Sequence, residues 1–410
     1  MKRGLKNFLQ LILLAVLGLA AGCSNTAQLT GSAGGTLFDA PSAAPAPIAT
    51  GYIPPDNSYE TVTVFWGTNR RQAGTEPLPV TSSAPVTRIT FGYERDDKLT
   101  VGSARITIPK DRQAGELPRP RSIKLWKWDV YSEKEDPRRH ITLRELDVLK
   151  PDAFRTAVGA QGKAATSFKD HALVFVHGFN TSFEDALYRD AQITYDLGFD
   201  GPTFLFSWPS RGDPLQYLYD RDSVDYSIGP FLTFLDLVSR SSKAKHVHVI
   251  AHSMGARLVV DALLPAQERA GKPPIPHLGQ VILAAADADR TVFEQRASRN
   301  RRIADLVTLY ANSSDTALKT SKAFAGGVPR LGDVPVTGPA IIPGADTIDM
   351  SDATNWVFLS LHHNTYAERN HILGDIALLL RDGVRPPDRR SPTYRAVKSP
   401  HGAYWKYVLN

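Results

Sequence analysis

The chain has 410 residues, of which 42% are hydrophobic and 22% are charged, a composition that argues against a largely disordered or fibrous protein. Its length suits one large domain or two modest ones. The formal net charge is +6, but no basic run is interleaved with aromatic residues, which argues against nucleic-acid binding.

Residues 1–23 are typical of a secretory signal peptide, because basic residues precede an apolar stretch that is too short to span a bilayer. Cys23 is the only cysteine, so disulfides within the chain are excluded. The residues before it resemble a bacterial lipobox, which implies that Cys23 is lipidated and anchors the protein to a membrane. Because Ser24 rather than aspartate follows, the resemblance implies the periplasmic face of the outer membrane. The alternative is an ordinary cleaved signal peptide.

Residues 24–58 are rich in Ala, Pro, Ser, Gly and Thr, and this composition predicts a flexible tether. Residues 59–165 are predicted to be β-rich, because short alternating segments are bounded by Gly, Pro or Asn. The predicted strands here are 61–66, 88–93 and 103–109, and a helix is predicted around 141–155. The sequence leaves open whether this part joins the sheet of the following residues.

Residues 166–385 alternate apolar strands with helical segments, a pattern typical of a mostly parallel sheet covered by helices on both faces. The predicted strands are 172–176, 203–208, 246–251, 280–286, 305–311 and 346–350. The predicted helices are 182–197, 224–240, 254–264, 291–304 and 371–382. Ser182 is expected to cap the first of these helices. Residues 386–410 are assigned to a C-terminal tail.

Ser253 lies between a predicted strand and a predicted helix in the pattern A-H-S-M-G, a variant of the G-x-S-x-G nucleophile turn. Such a turn is strained, so the residues two positions away must be small, as Ala251 and Gly255 are. The N-terminus of the helix favours a developing oxyanion, and the backbone N–H of Met254 is one candidate donor. The alternative is a serine that only caps the helix.

A second oxyanion donor is expected in the loop after an earlier strand. His177 and Gly178 end the strand of VFVHGFN, and the backbone N–H of Phe179 is the candidate donor. The alternative is an ordinary turn. After the next strand, Trp208, Arg211 and Tyr217 are candidate substrate contacts, together with His177 and Gly178. Packing or surface roles explain these residues equally well.

The order of a catalytic triad in such a sheet is serine, acid, histidine. Asp315 follows the strand 305–311 and is the first candidate for the acid, with Asp287 as the alternative. The unused aspartate is expected to cap a helix or brace a loop. His363 is the first candidate for the base and His362 the alternative, whereas His371 is expected to open the last helix. No histidine or acidic spacing calls for a metal or another cofactor.

Several blocks of the chain resemble a bacterial family of α/β-hydrolase-fold proteins of unknown specific function in the esterase/lipase superfamily. These blocks include VFWGTNRR (64–71), FGYERDDKLTVGSARITIP (91–109), VFVHGFNTSFEDAL (174–187), FSWPSRG (206–212), IAHSMGARLV (250–259), LAAADADRTVF (283–293), LYANSSDTAL (309–318), RLGD (330–333) and HNTYA (363–367). The resemblance implies an α/β-hydrolase fold with Ser253 as nucleophile, Asp315 as acid and His363 as base. It also implies that Phe179 and Met254 supply the oxyanion hole.

These patterns predict a serine hydrolase that cleaves a small-molecule or lipid-like ester without a cofactor. Acyl transfer or amide hydrolysis by the same triad is one alternative. A non-catalytic hydrolase-fold module that binds a partner in the cell envelope is another. The sequence does not indicate an oligomeric state.

Overall fold

A computed structural model of the protein describes residues 57–77, 87–125, 128–266, 278–297, 304–353, 366–385 and 394–408. The predicted signal peptide (1–23) and all but the last two residues of the predicted tether (24–58) lie outside these ranges. Within them, no helix combines the length and the apolar composition that are needed to cross a bilayer.

The strands begin soon after the predicted tether and continue almost to the end of the chain. They are β1 (Tyr59–Pro77), β2 (Thr87–Pro109), β3 (Ser122–Leu125), β4 (Trp128–Ser132), β5 (Thr142–Val148), β6 (His171–Val176), β7 (Thr203–Ser207), β8 (His246–His252), β9 (Leu278–Ala284), β10 (Leu306–Ala311), β11 (Ala345–Asp349), β12 (Tyr394–Ser399) and β13 (Gly402–Tyr407).

The α-helices fall mainly between the strands of the second half. They are α1 (Pro151–Ala164), α2 (Phe183–Asp196), α3 (Tyr217–Tyr226), α4 (Ile228–Ser242), α5 (Met254–Ala266), α6 (Arg290–Ala297), α7 (Thr316–Phe324) and α8 (Tyr366–Asp382). A 3₁₀ helix (Pro214–Gln216) precedes α3 directly. The cap predicted for α2 is confirmed, because the Ser182 hydroxyl accepts the backbone N–H of Asp185 at 3.1 Å.

Eleven strands form one sheet in the order β12-β13-β11-β10-β9-β8-β6-β7-β1-β2-β5, and β3 pairs with β4 separately. The strands from β13 across to β1 are parallel to their neighbours, whereas β2, β5 and β12 pair antiparallel at the edges. The predicted α/β-hydrolase fold is therefore confirmed. Through β1, β2 and β5, the N-terminal β-rich part joins the main sheet.

Both faces of the sheet are buried, as the apolar strands predict. In β6, Val174 and Val176 belong to one hydrophobic cluster, with side chains from α1, α4 and α5. Leu173 and Phe175 belong to the cluster on the other face, to which α2 and α8 contribute. The molecule is a helix–sheet–helix sandwich whose strands end, at their carboxyl edge, in the loops that carry the predicted site.

Three predicted helices are wrong in part. The last helix begins at Tyr366, so His371 lies inside it and does not open it as predicted. Residues 142–148 of the predicted helix 141–155 form β5, which pairs with β2, and α1 begins only at Pro151. Proline favours the first turn of a helix and lacks the N–H that a helix interior requires, which explains why α1 begins there. The predicted helix 224–240 is divided at Ser227 between α3 and α4. The segment assigned to a C-terminal tail contains the hairpin β12–β13.

Candidate active site

Ser253 occupies the turn between β8 and α5, where its φ of 51° lies in the left-handed region. That conformation costs a residue with a side chain about 1–3 kcal/mol, so the surroundings must hold it in place. Its backbone N–H donates to the carbonyl of Ala284 at 3.0 Å, and its own carbonyl accepts the N–H of Asp287 at 3.1 Å. The serine is therefore fixed in a strained strand-to-helix turn.

Two glycines allow other backbone segments to approach this turn closely. A Cβ atom on Gly255 would lie 2.7 Å from the carbonyl oxygen of Val176, closer than real Cβ contacts allow. A Cβ atom on Gly178 would lie 2.7 Å from Nδ1 of His252 and 3.1 Å from Cβ of Ser253. The loop after β6 therefore lies directly against the serine, and only residues without a side chain fit there.

The two predicted oxyanion donors belong to the two turns that meet at this point. Met254 directly follows Ser253 and is the buried first residue of α5, whose N-terminus carries a partial positive charge. Phe179 directly follows Gly178, and its ring packs edge-on against Tyr217 with 5.5 Å between centroids. The fold thus brings together the residues whose amides are expected to bind an oxyanion.

His177 and Trp208 are buried and pack against each other beneath the loop that follows β6. His177 is 1% exposed and stacks on fully buried Trp208, whose indole N–H donates to the His177 carbonyl at 2.8 Å. Burial, together with the charge of Arg70, lowers the pKa of His177 to about 3. The neutral ring donates through Nδ1 to the carbonyl of Gly178 at 2.8 Å. Both candidate substrate contacts are therefore enclosed by protein.

Arg70, for which the sequence predicts no role in the site, connects the loops after β6 and β7. It is 2% exposed and donates to the carbonyls of Gly92 at 3.1 Å, Ser210 at 2.8 Å and Thr181 at 2.8 Å. Its Nε donates to the Ser207 hydroxyl at 3.0 Å. Burial lowers its pKa to about 10, so the guanidinium stays charged at neutral pH.

Asp287, the alternative acid, is buried and paired with a basic side chain. Its side chain is 3% exposed and accepts hydrogen bonds from Nε of Arg330 at 2.7 Å, from the Tyr217 hydroxyl at 2.8 Å and from the Ser321 hydroxyl. Burial and the charge of Asp287 raise the pKa of Tyr217. This carboxylate braces the loop after β9, and Tyr217 connects that brace to Phe179.

Asp315, the first candidate for the acid, lies in the loop after β10 and caps α7. One carboxylate oxygen accepts the backbone N–H of Leu318 at 3.0 Å. Within the described ranges it forms no ion pair, and burial, with a contribution from the charge of Asp287, raises its pKa. Of the two candidate acids, Asp315 is therefore the one that forms no ion pair in the described ranges.

His362 and His363, the candidate bases, lie outside the described residues. The chain on their N-terminal side is fixed beside the loop of Asp315. The Ser351 hydroxyl accepts the N–H of Ser313 at 3.0 Å, and the Asn312 side chain donates to the Met350 carbonyl at 3.3 Å. The chain leaves β11 next to the candidate acid, while the position of either histidine relative to Ser253 stays a prediction.

Arg211 contacts aromatic rings of β2 and α3. Its guanidinium lies over the ring of Tyr93 at 4.4 Å and near that of Tyr219 at 5.6 Å. Its backbone N–H donates to Asp220 at 2.7 Å. The structure therefore groups Tyr217 with Phe179 at the candidate site, but it places Arg211 in an aromatic cluster with the N-terminal strands.

Comparison with known proteins gives a family but no curated relative. No curated protein matches the chain. Similar solved structures include a putative cell surface hydrolase from Lactobacillus plantarum WCFS1, with 12% identity, 54% of this chain and 95% of that chain covered, and a TM-score of 0.34. Esterase B from Lactobacillus rhamnosis is 10% identical, with 79% and 88% covered and a TM-score of 0.33. An esterase from Pyrobaculum calidifontis is 10% identical, with 80% and 86% covered and a TM-score of 0.29.

The family model is the more informative comparison, because it spans more than half of the chain. It covers residues 151–382, from the start of α1 to the end of α8, and includes the serine turn and both aspartate loops. The chain belongs to this family, which is described as an alpha/beta hydrolase of unknown function (DUF900).

Proposed function

We propose that the protein is a serine hydrolase that cleaves ester-like acyl bonds through Ser253, His363 and Asp315. The observation that supports this most is the φ of 51° at Ser253, held against the Gly178 loop at the carboxyl edge of the sheet. A strained serine between a buried strand and a helix lowers the stability of the fold, so stability does not explain its presence. The same arrangement exposes a nucleophile beside backbone amides.

In the proposed mechanism, the Ser253 hydroxyl attacks the ester carbonyl while His363 accepts its proton. Asp315 holds the imidazole in the tautomer that can do so, and the imidazolium then protonates the leaving alcohol. The amides of Phe179 and Met254 stabilise the negative oxygen of the tetrahedral intermediate, where losing one donor typically costs about 10²–10³ in rate. Water attacks the acyl-enzyme in the second half and restores the serine.

The substrate of this mechanism is a small-molecule or lipid-like ester. Acyl transfer to an alcohol or an amine would use the same triad, because the triad does not select the acceptor. Comparing hydrolysis with product formation in the presence of an added alcohol or amine separates the two reactions. We expect hydrolysis to dominate.

The test of the nucleophile is covalent labelling of the full-length chain with a fluorophosphonate probe. The wild-type protein should be labelled and the Ser253→Ala variant should not, whereas Ser314→Ala, which removes an exposed hydroxyl near Asp315, should be labelled like the wild type. Loss of labelling in His363→Ala but not in His362→Ala would identify the base. A wild-type protein that resists labelling would contradict the proposal and favour a non-catalytic binding module.

The proposal includes attachment to the cell envelope through a lipid on Cys23. Two acyl chains anchor a protein stably, because each buried CH₂ contributes about 0.8 kcal/mol. The wild-type protein should sediment with outer membranes and incorporate labelled palmitate, and Cys23→Ala should do neither. A wild-type protein that is recovered without a lipid would exclude the anchor but not the hydrolase.

A further inference from the structure

A cavity of about 360 Å³ lies beside the candidate active site, between α3, α5, α6 and α7. Its wall carries four guanidinium groups and two carboxylates, which belong to Arg221, Arg257, Arg296, Arg330, Asp261 and Asp289. Apolar side chains, among them Val260 and Phe293, complete the wall. No step of the proposed mechanism uses this arginine cavity.

The arginine cavity is adjacent to the groups that are expected to react. Arg257 is one helical turn beyond Ser253, and its backbone N–H points to the Ser253 carbonyl at 3.4 Å. Tyr217 also lines the cavity, and its ring packs against Phe179, whose amide is a candidate oxyanion donor. A substrate whose ester lies at Ser253 is therefore within reach of the cavity with another of its groups.

The carboxylates of the wall are already engaged. Asp261 accepts from Arg257 at 3.3 Å and from Arg296 at 2.9 Å. Asp289 accepts from the hydroxyl of Thr291 at 2.7 Å and from the N–H of Val292 at 3.0 Å. Neither carboxylate therefore needs a cation from a ligand.

The guanidinium groups, in contrast, have more N–H donors than their ion pairs in the described ranges use. Each has five N–H bonds in a planar fork that fits carboxylate and phosphate oxygens. Nη1 of Arg296 and two nitrogens of Arg257 bond to carboxylates. The side chain of Arg221 is exposed and has no hydrogen bond or ion pair with any residue in the described ranges. The cavity thus offers cationic donors that a small oxyanion would satisfy.

We propose that the arginine cavity binds an anionic group of the substrate, so that the preferred substrate is an ester that also carries a carboxylate or a phosphate. This proposal rests on the proposed esterase function. Charge-assisted hydrogen bonds to one or two arginines contribute about 10- to 100-fold in affinity or in kcat/KM. The apolar part of the wall packs against the carbon chain next to the anionic group.

The kinetic test uses matched pairs of esters. 4-Nitrophenyl hemisuccinate and 4-nitrophenyl butyrate differ by a carboxylate on the acyl side. Butyryl esters of glycerol 3-phosphate and of glycerol differ by a phosphate on the alcohol side. In the wild-type protein, kcat/KM should be at least about 10-fold higher for the anionic member of one pair, and which pair responds identifies the anion.

The variants Arg221→Gln and Arg296→Gln should lower this anionic-to-neutral ratio by about 10-fold each. Arg221→Gln is the cleaner test, because it breaks no ion pair between described residues, and Arg296→Gln leaves Asp261 paired with Arg257. Arg240→Gln removes an arginine from the exposed face of α4 and should leave the ratio unchanged. Equal kcat/KM within both pairs, or a ratio that neither cavity variant changes, would overturn the proposal.

A binding measurement separates this proposal from the proposed function. Calorimetric titration of the Ser253→Ala protein with succinate and with inorganic phosphate should show binding by one of them that weakens with rising salt and is reduced in the Arg221→Gln background. If no ester is hydrolysed but such binding is found, the esterase proposal fails and the anion site stands. If Ser253 hydrolyses neutral esters and neither anion binds, the anion site fails alone.

Discussion

The loops after β9 and β10 both present an aspartate at the carboxyl edge of the sheet, but the two aspartates have different surroundings. Asp287 is 3% exposed and is held by Arg330, Tyr217 and Ser321. Asp315 caps α7 and forms no ion pair in the part of the chain that the structure describes. A carboxylate that is paired with an arginine and two hydroxyls fixes its loop, whereas one that only caps a helix keeps acceptor positions with which it can orient a histidine.

The largest expected effect of this contrast is a loss of catalysis in the variant Asp315→Asn. The amide caps a helix as well as the carboxylate does, so stability should change by less than about 0.5 kcal/mol. It cannot hold the histidine in the required tautomer, so kcat on a 4-nitrophenyl ester should fall by about 10⁴-fold. An Asp287→Asn variant that loses as much kcat as Asp315→Asn while remaining folded would reverse the two assignments.

The second largest expected effect is a loss of stability in the variant Asp287→Ala. Removing one partner of a buried ion pair leaves the charge of Arg330 without compensation, which should cost about 3–5 kcal/mol in the free energy of unfolding. Urea denaturation measures this cost. The control is Asp236→Ala, which breaks an exposed pair with Arg240 on α4 and should cost no more than about 1 kcal/mol. Similar losses in both variants would mean that Asp287 does not brace its loop.

The roles given to the two aspartates assume that the serine turn is fixed in place. The variant Gly255→Ala tests this assumption. The added methyl would meet the carbonyl of Val176, so the variant should lose about 1–3 kcal/mol of stability and part of its kcat. Gly159→Ala is the matched control, because its Cβ meets nothing within 4 Å on α1 and should stabilise the protein by about 0.5–1 kcal/mol. An unchanged Gly255→Ala enzyme would show that the turn can shift.

The smallest effect is expected from Ser321→Ala, which removes one donor to Asp287 without removing a charge. The variant should lose about 1 kcal/mol of stability in thermal unfolding. Thr233→Ala removes an exposed hydroxyl that bonds within α4 and should change stability by less than about 0.5 kcal/mol. A loss of several kcal/mol in Ser321→Ala would mean that Ser321, rather than Arg330, is the main partner of Asp287.

Features that depend on neighbouring residues could be predicted from the sequence. The apolar strands predicted a mostly parallel sheet, and the cap at Ser182 follows from residues three positions apart. The small residues around Ser253 predicted its strand-to-helix turn. The error at 141–155 has a local cause as well, because the buried residues of β5, Thr142, Leu143 and Leu146, have a spacing that also suits one face of a helix.

Features that depend on distant residues could not be predicted. Arg70 reaches Ser207 and Ser210, 137 and 140 residues away, and Arg330 reaches Asp287 across 43 residues. No spacing rule links such pairs. A single sequence therefore left both Asp315 and Asp287 open as the acid, and only the three-dimensional contacts show that the second is occupied.

The direction of β1 determines at which side of the sheet the predicted tether joins the body. Because β1 is parallel to β7, its first residue, Tyr59, lies at the edge of the sheet opposite to Ser253. Tyr59 is about 30 Å of extended strand from Thr68. With Cys23 as the anchor, the tether would enter the body from the side away from the edge that carries Ser253. The approach to the serine turn would then be free of the segment that joins the body to its anchor.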